Sequence, residues 1–231
     1  MNSLPLNYRA LVVGSSGSIG KAFLRALQLD SNCAEALELS RETSPAFDLR
    51  NEQTIEEALA PVKGSGNFDL IIDATGALMI SGHGPEKSLQ AIKASTLSES
   101  LWINCIGPSV MLKNLAPVLG KSRCIYAKLS ARVGSISDNK LGGWYSYRSS
   151  KAAFNMILQT AAIEHNRKNP NAVFVALQPG TVASPLSAPF VDASKTLTPE
   201  DSVSQMLSAI DLLKPTNGAH FIDYRGHPIA W

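Results

Sequence analysis

The 231-residue chain holds only three cysteines, Cys33, Cys105 and Cys124. Their odd number, wide spacing and lack of a CxxC pair argue against both a disulfide framework and a zinc site, so small buried hydrophobes are expected. Nor do His83, His165, His220 and His227 show metal-ligand spacing, and no metal is expected. No apolar run approaches the length of a membrane span. The opening MNSLPLNYRALVVG lacks a charged segment followed by a long apolar core and a cleavage site. A soluble, cytoplasmic protein without membrane contacts is the expectation. An excess of one charge is missing too: net charge is +2 with basic residues scattered, which leaves no electrostatic footprint for nucleic acid. Repeats, low-complexity tracts and linkers are absent. One α/β domain spanning 1–231 is the simplest reading of such a length.

What is present is alternation. Strand-length apolar runs (ALVVG, ALELS, DLIIDATG, CIYAKLS, AVFVALQPG, AHFIDYRG) are separated by helix-length segments. One of these is a helical stretch from after DATG to about Leu119. Short strands alternating with helices predict βαβ units, right-handed crossovers and a Rossmann-type, doubly wound parallel sheet covered on both faces. Ligands of such sheets bind beyond the carboxyl ends of the strands. The span at about 185–200, rich in Pro and Ser and directly after a strand, is a candidate substrate lid or an ordinary surface loop.

The first strand runs into VVGSSGSIGKAF. Gly14, Gly17 and Gly20 form GxxGxxG, and with Ser16, Ser18 and Ile19 they make a loop suited to a dinucleotide pyrophosphate. Glycine allows the tight turn and the close backbone approach, and the helix start offers free N–H groups and a favourable dipole. At the end of the second strand, Ser40 and Arg41 stand where NAD would want a ribose-binding carboxylate. A guanidinium beside a hydroxyl suits a 2′-phosphate, so NADP is preferred to NAD, which stays possible because of Glu42. Asp48 either accepts from the adenine amino group or caps the next helix.

GGWYSYRSSKAAF, Gly142 to Phe154, crowds three aromatics before a lysine. A helix turns about 100° per residue, so Tyr147 and Lys151 share a side while Tyr145 lies well round the cylinder. Trp144 and Tyr145 are read as pocket wall or packing.

Taken in order, the glycine loop, DATG from Asp73 to Gly76, Asn104, Tyr147 with Lys151, and PGTVASPLS from Pro179 resemble the motif set of the short-chain dehydrogenase/reductase family. The resemblance spans nearly the whole chain, and SARVGSISDNKLGGWYSYRSSKAAFN is most similar to the C-factor-like branch. It implies Tyr147 as the acid/base for a carbonyl or secondary alcohol, aided by Lys151 and Asn104. It also implies a cofactor held by Ala74, Thr75, Gly76, Tyr147, Lys151, Pro179, Gly180, Val182 and Ser184. A phenol titrates near pH 10, so work near neutrality asks for phenolate stabilisation of about 4 kcal/mol. Lys151 and a positive nicotinamide are expected to supply it. Self-association to a homodimer or homotetramer is implied as well.

The chain departs from the family at two places. Ser18 stands where the middle glycine of GxxxGxG is usual, and Ala131, three before Gly134, stands where the substrate-orienting serine is usual. Ser130 is the candidate replacement and Ser135 the alternative, although adjacent strand residues face opposite ways. Two functions remain compatible: an NADP-dependent oxidoreductase, or a cofactor-binding signalling or regulatory protein of the same fold.

Overall fold

The computed structural model describes residues 1–184, 194 and 196–231, so most of the candidate lid lies outside the described residues. Six parallel strands form one sheet: β1 (Tyr8–Val13), β2 (Cys33–Leu39), β3 (Leu70–Asp73), β4 (Cys124–Leu129), β5 (Ala172–Gln178) and β6 (Ala219–Asp223). Their order is β2-β1-β3-β4-β5-β6. The chain moves outward from β1 to β2, then crosses back to β3 on the other side of β1. That reversal opens a crevice above the carboxyl ends of β1 and β3, the place where doubly wound sheets bind ligands. The fold class read from the alternation is the fold observed.

Two apolar layers hold the helices on the sheet. α1 (Ser18–Gln28) and α6 (Pro199–Leu212) bury Phe23, Leu27, Val203, Met206 and Ile210 against Val12, Ile72 and Val175. α2 (Glu52–Gly64), α4 (Gly107–Leu115) and α5 (Tyr145–Asn166) bury Ile55, Leu59, Met111, Leu115, Phe154 and Leu158 against Leu11, Ile71 and Tyr126. Each such side chain contributes roughly 1.5–3 kcal/mol when fully buried. In β4 the alternation is strict: Ile125, Ala127 and Leu129 face α1 and α6, while Cys124 and Tyr126 face α5. Cys105 and Cys124 are buried and Cys33 is partly so, all as free thiols.

The helical stretch expected directly after β3 starts late. α3 (Ala94–Leu101) begins only after some twenty irregular residues, because Ser81 and Gly82 adopt positive φ and Pro85 follows. α3 continues through a π turn, Trp102–Ile106, into α4. The irregular segment is tied to α5 by Glu86. α5 starts at Tyr145, two residues before Tyr147, out of three successive left-handed residues, Gly142, Gly143 and Trp144 (φ 65°, 65° and 57°). Trp144, whose indole can donate but not accept a hydrogen bond, does not cap the helix through its side chain. Glu86 does so instead: its carboxylate accepts from the Ser146 N–H at 3.0 Å and from the Ser146 hydroxyl, and its carbonyl accepts from the Trp144 N–H. Those contacts hold the Glu86 carboxyl below the usual carboxylate range despite burial, which opposes them.

Among the described residues no helix is long and apolar enough to cross a membrane, and no cluster of His, Cys, Asp or Glu could hold a metal ion. Replacing Glu86 with Ala orphans the first turn of α5, and the loss expected in urea unfolding is about 1–3 kcal/mol.

Candidate functional site

The glycine loop is built around one close approach. Gly14 takes φ +82°, and a side chain at Gly20 would put its Cβ 2.1 Å from the Gly14 carbonyl oxygen. Gly20 therefore fixes the packing of α1 against the end of β1. Gly17 is different: it precedes α1 with φ −76°, and a Cβ there would meet nothing nearer than 3.5 Å. Ser18 opens α1, so the missing middle glycine is not required for this turn. No side chain caps α1 and its first turn carries no acidic residue, which leaves its N–H groups directed at the crevice. This bare cradle fits an anionic dinucleotide.

The crevice has two connected parts. The first, about 510 Å³, is bounded by Gly14, Gly17, Arg41, Asp48, Arg50 and Ile103, among others. The second, about 420 Å³, continues past Ser16, Ser18, Ile19 and Gly20 to Leu129, Ser130, Tyr147, Lys151, Pro179 and Ser184. Both parts share Ala74, Thr75 and Gly76. Glycine cradle, arginine end and Tyr–Lys end are thus one continuous cleft.

At the arginine end Arg41 is exposed and makes no hydrogen bond or ion pair among the described residues. Ser40 does not reach the cleft. It is buried, and its hydroxyl accepts from the Glu42 N–H, closing a local turn. Asp48 does line the cleft, but it is not the helix cap, a role taken by Asn51, whose side chain accepts from the N–H groups of Gln53 and Thr54. Asp48 instead pairs with the Arg50 guanidinium at 2.8 Å, which holds its carboxyl below the usual range. Arg50, a second cation at this end, was not among the residues expected.

At the other end the Lys151 ammonium lies 5.6 Å from the Tyr147 ring centroid and donates to the Leu129 carbonyl at 3.2 Å. The Trp144 ring meets Tyr147 edge-on at 6.2 Å, so it is packing for the phenol. Asn104, in the π turn, exchanges two hydrogen bonds with Ala77, accepting from its N–H at 2.9 Å and donating to its carbonyl at 2.8 Å. It braces the turn that carries Ala74, Thr75 and Gly76 and does not itself line the cleft. Gly180 and Val182 do not line the cleft, and Val182 pairs with Leu197. Ser130 lines the cleft and donates to Asn155 Oδ1 at 2.8 Å. Ser135 is turned away, accepting from the Asp138 N–H at 3.0 Å.

One buried group has no counterpart in the sequence reading. Lys128, in β4, is 1 % exposed and lies opposite Asp73 of β3 in the sheet register. Its ammonium donates to the Asp73 carboxylate at 3.0 Å, to the Thr75 carbonyl at 2.5 Å and to the Thr75 hydroxyl at 2.9 Å. The signal was available: a lone lysine in an apolar strand run needs a buried partner, and Asp73 ends the neighbouring one.

The expected low phenol pKa is not produced by the protein's own groups. Burial pushes the Tyr147 phenol well above its ordinary value. Burial also lowers Lys151 to about 7, with Lys128 adding to the fall and Asp73 opposing it. A lysine that is half neutral near pH 7 cannot fully stabilise a phenolate, so added positive charge in the cleft has to supply the remainder.

The chain belongs to the short-chain dehydrogenase family. The family model for short chain dehydrogenase matches residues 9–195. A 1-hydroxy-2-glutathionyl-2-methyl-3-butene dehydrogenase from Rhodococcus sp. (strain AD45) is 27% identical over 188 residues, 81% of this chain and 79% of that protein. The C-signal of Myxococcus xanthus is 32% identical over 169 residues, 72% of this chain and 95% of the relative, in keeping with the C-factor-like resemblance. Among solved structures, NADPH-bound carbonyl reductase from chicken fatty liver superposes with a TM-score of 0.84 at 22% identity, covering 99% of this chain and all of the other.

The glycine pair separates folding from binding. Gly20→Ala should lose at least about 1–3 kcal/mol of stability, as overpacking against fixed backbone does. Gly17→Ala should stay within about 0.5 kcal/mol of the parent protein while weakening nucleotide affinity, read by calorimetry and by fluorescence titration.

Lys151 also makes a testable pH signature. Between about pH 7 and pH 10 the unfolded chain keeps a proton on this lysine that the folded chain has released, so folding stability gains from this group as pH rises through that window. The labelled Lys151 Cε resonance should titrate near 7 in the parent protein. In Lys128→Met its midpoint should move upward, because one neighbouring positive charge is gone.

Proposed function

We propose that this protein is an NADP-dependent oxidoreductase that transfers hydride between the nicotinamide and a carbonyl or secondary-alcohol substrate. The observation that carries the reading is the single cleft joining an uncapped glycine cradle and an unpaired Arg41 to Tyr147, Lys151 and Ser130. A bound nicotinamide would supply the hydride and, once oxidised, the positive charge that the Tyr147 phenolate needs.

The protein's own groups divide the remaining work. The N–H groups at the start of α1 would hold the pyrophosphate, and Arg41 would favour a 2′-phosphate over a bare ribose, whereas Arg50 is already paired with Asp48 and Glu99. Lys151 would donate to the nicotinamide ribose and, when protonated, bias Tyr147 toward its anion. Tyr147 gives its hydroxyl proton to the carbonyl oxygen in reduction and takes it back in oxidation. Pro179 and Ser184, which line the cleft, would bound the carboxamide side. Ser130, in place of the serine missing at Ala131, steadies the substrate oxygen. The NADPH-bound state of the chicken carbonyl reductase supports the choice of cofactor. An alternative reading, a cofactor-binding regulatory protein with little turnover, draws on Ala131 and on the C-signal relative.

Single-turnover oxidation of NADPH across aldehydes, ketones and quinones decides between them. Hydride transfer should be seen with at least one carbonyl and fall at least about 100-fold in Tyr147→Phe. Arg41→Ala should weaken NADPH about 10- to 100-fold relative to NADH, the worth of charged hydrogen bonds. Binding without turnover favours the regulatory protein, and absence of binding sinks both.

A further inference from the structure

Asn155 sits one helical turn beyond Lys151 on α5 and is 2 % exposed. Its Oδ1 accepts the Ser130 hydroxyl proton at 2.8 Å. Its Nδ2 is buried with no hydrogen-bond acceptor among the described residues. The nitrogen faces the side of Gly134 where a side chain would stand, 3.2 Å from that position. An unpaired buried amide nitrogen is costly, and a primary amide can exchange donor and acceptor by half a turn about its last torsion.

Here the exchange changes what Ser130 offers. In the structure Ser130 gives its one proton to Asn155 and presents only lone pairs to the cleft it shares with Tyr147. After the half turn, Nδ2 donates to Ser130 Oγ and the serine proton is free for the cleft. A substrate oxygen that gathers negative charge during hydride transfer needs a donor, not a second acceptor.

We propose that Asn155 is a positioning residue whose amide nitrogen aims the Ser130 proton at the substrate oxygen, so that the two together replace the serine absent at Ala131. The inference rests on the oxidoreductase reading and adds a residue to it. No bond is made or broken at Asn155; one hydrogen bond reverses direction.

Two near-isosteric variants separate this from a purely structural role. Asn155→Asp keeps an acceptor for Ser130 but removes the amide donor, so it holds the serine proton away from the cleft. Asn155→Leu removes both and leaves the serine proton unclaimed. With saturating NADPH, kcat for carbonyl reduction should fall about 100-fold in Asn155→Asp, about as far as in Ser130→Ala, and by no more than about 10-fold in Asn155→Leu. The Kd for NADPH should be unchanged in all three. The Ser130→Ala/Asn155→Asp pair should be within about twofold of Ser130→Ala alone, since both changes remove the same interaction.

A structural role predicts the reverse order, with Leu worse than Asp, and that result overturns the proposal. Parent-like kcat in Asn155→Asp, or additive losses in the pair, overturns it equally. Should Asn155→Asp fail to fold, Asn155→Leu decides: a loss of no more than about 10-fold supports the proposal, and a loss as large as that of Ser130→Ala overturns it. A full loss in Tyr147→Phe beside none in Ser130→Ala removes this inference alone. No loss in Tyr147→Phe, or no turnover in the parent protein, removes the oxidoreductase reading and this inference with it.

Discussion

A buried ion pair organises the floor of the cleft. Lys128 and Asp73 meet inside the sheet, and the same ammonium binds both oxygens of Thr75. Ala74, Thr75 and Gly76 line both parts of the cleft, so the pair steadies the wall they share. Taking two charges out of water costs several kcal/mol each, and only attraction at short range with additional hydrogen bonds offsets it. Both conditions hold here. Removing one partner of such a pair typically costs about 3–5 kcal/mol, because the other is left charged and alone.

The pair also reaches the chemistry. Lys128 is a second positive charge in a region where Lys151 is already desolvated, and it discourages Lys151 from taking a proton. Asp73 works against that effect. The protonation of Lys151 thus reflects a three-group balance seated in β3, β4 and α5, and Tyr147 sits at its edge. Burial disfavours charge on both the phenol and the amine, a resting arrangement poised for a charged visitor.

Much of this was legible in the sequence because its signals are local. Alternating run lengths disclosed six strands and their helices, the spacing of Gly14, Gly17 and Gly20 disclosed a cradle, and a four-residue step disclosed that Tyr147 and Lys151 share a side. What was not legible depends on partners distant in the chain. Ser40 closes its own turn with Glu42 instead of facing the cleft. Asn51 displaces Asp48 as the helix cap because the helix begins three residues later than such a role requires. Glu86 serves a helix that begins about sixty residues on, and Asn155 meets Ser130 only once α5 lies against β4. Strand and helix periods report which way a residue faces, not what meets it there.

The π turn at Trp102–Ile106 has an effect beyond carrying Asn104. An uninterrupted α-helix presents one fixed phase along its length, and the wider turn inserts a change of phase midway. Before it, α3 sets Ser100 against Ser146 and Ser150 of α5. After it, α4 sets Gly107 so close to Leu49 that a Cβ would fall 2.2 Å from the Leu49 oxygen. One rod therefore docks on two neighbours at incompatible angular settings, and the asparagine occupies the joint. Shortening the joint by a single residue would restore regular winding and rotate one docking face off its neighbour.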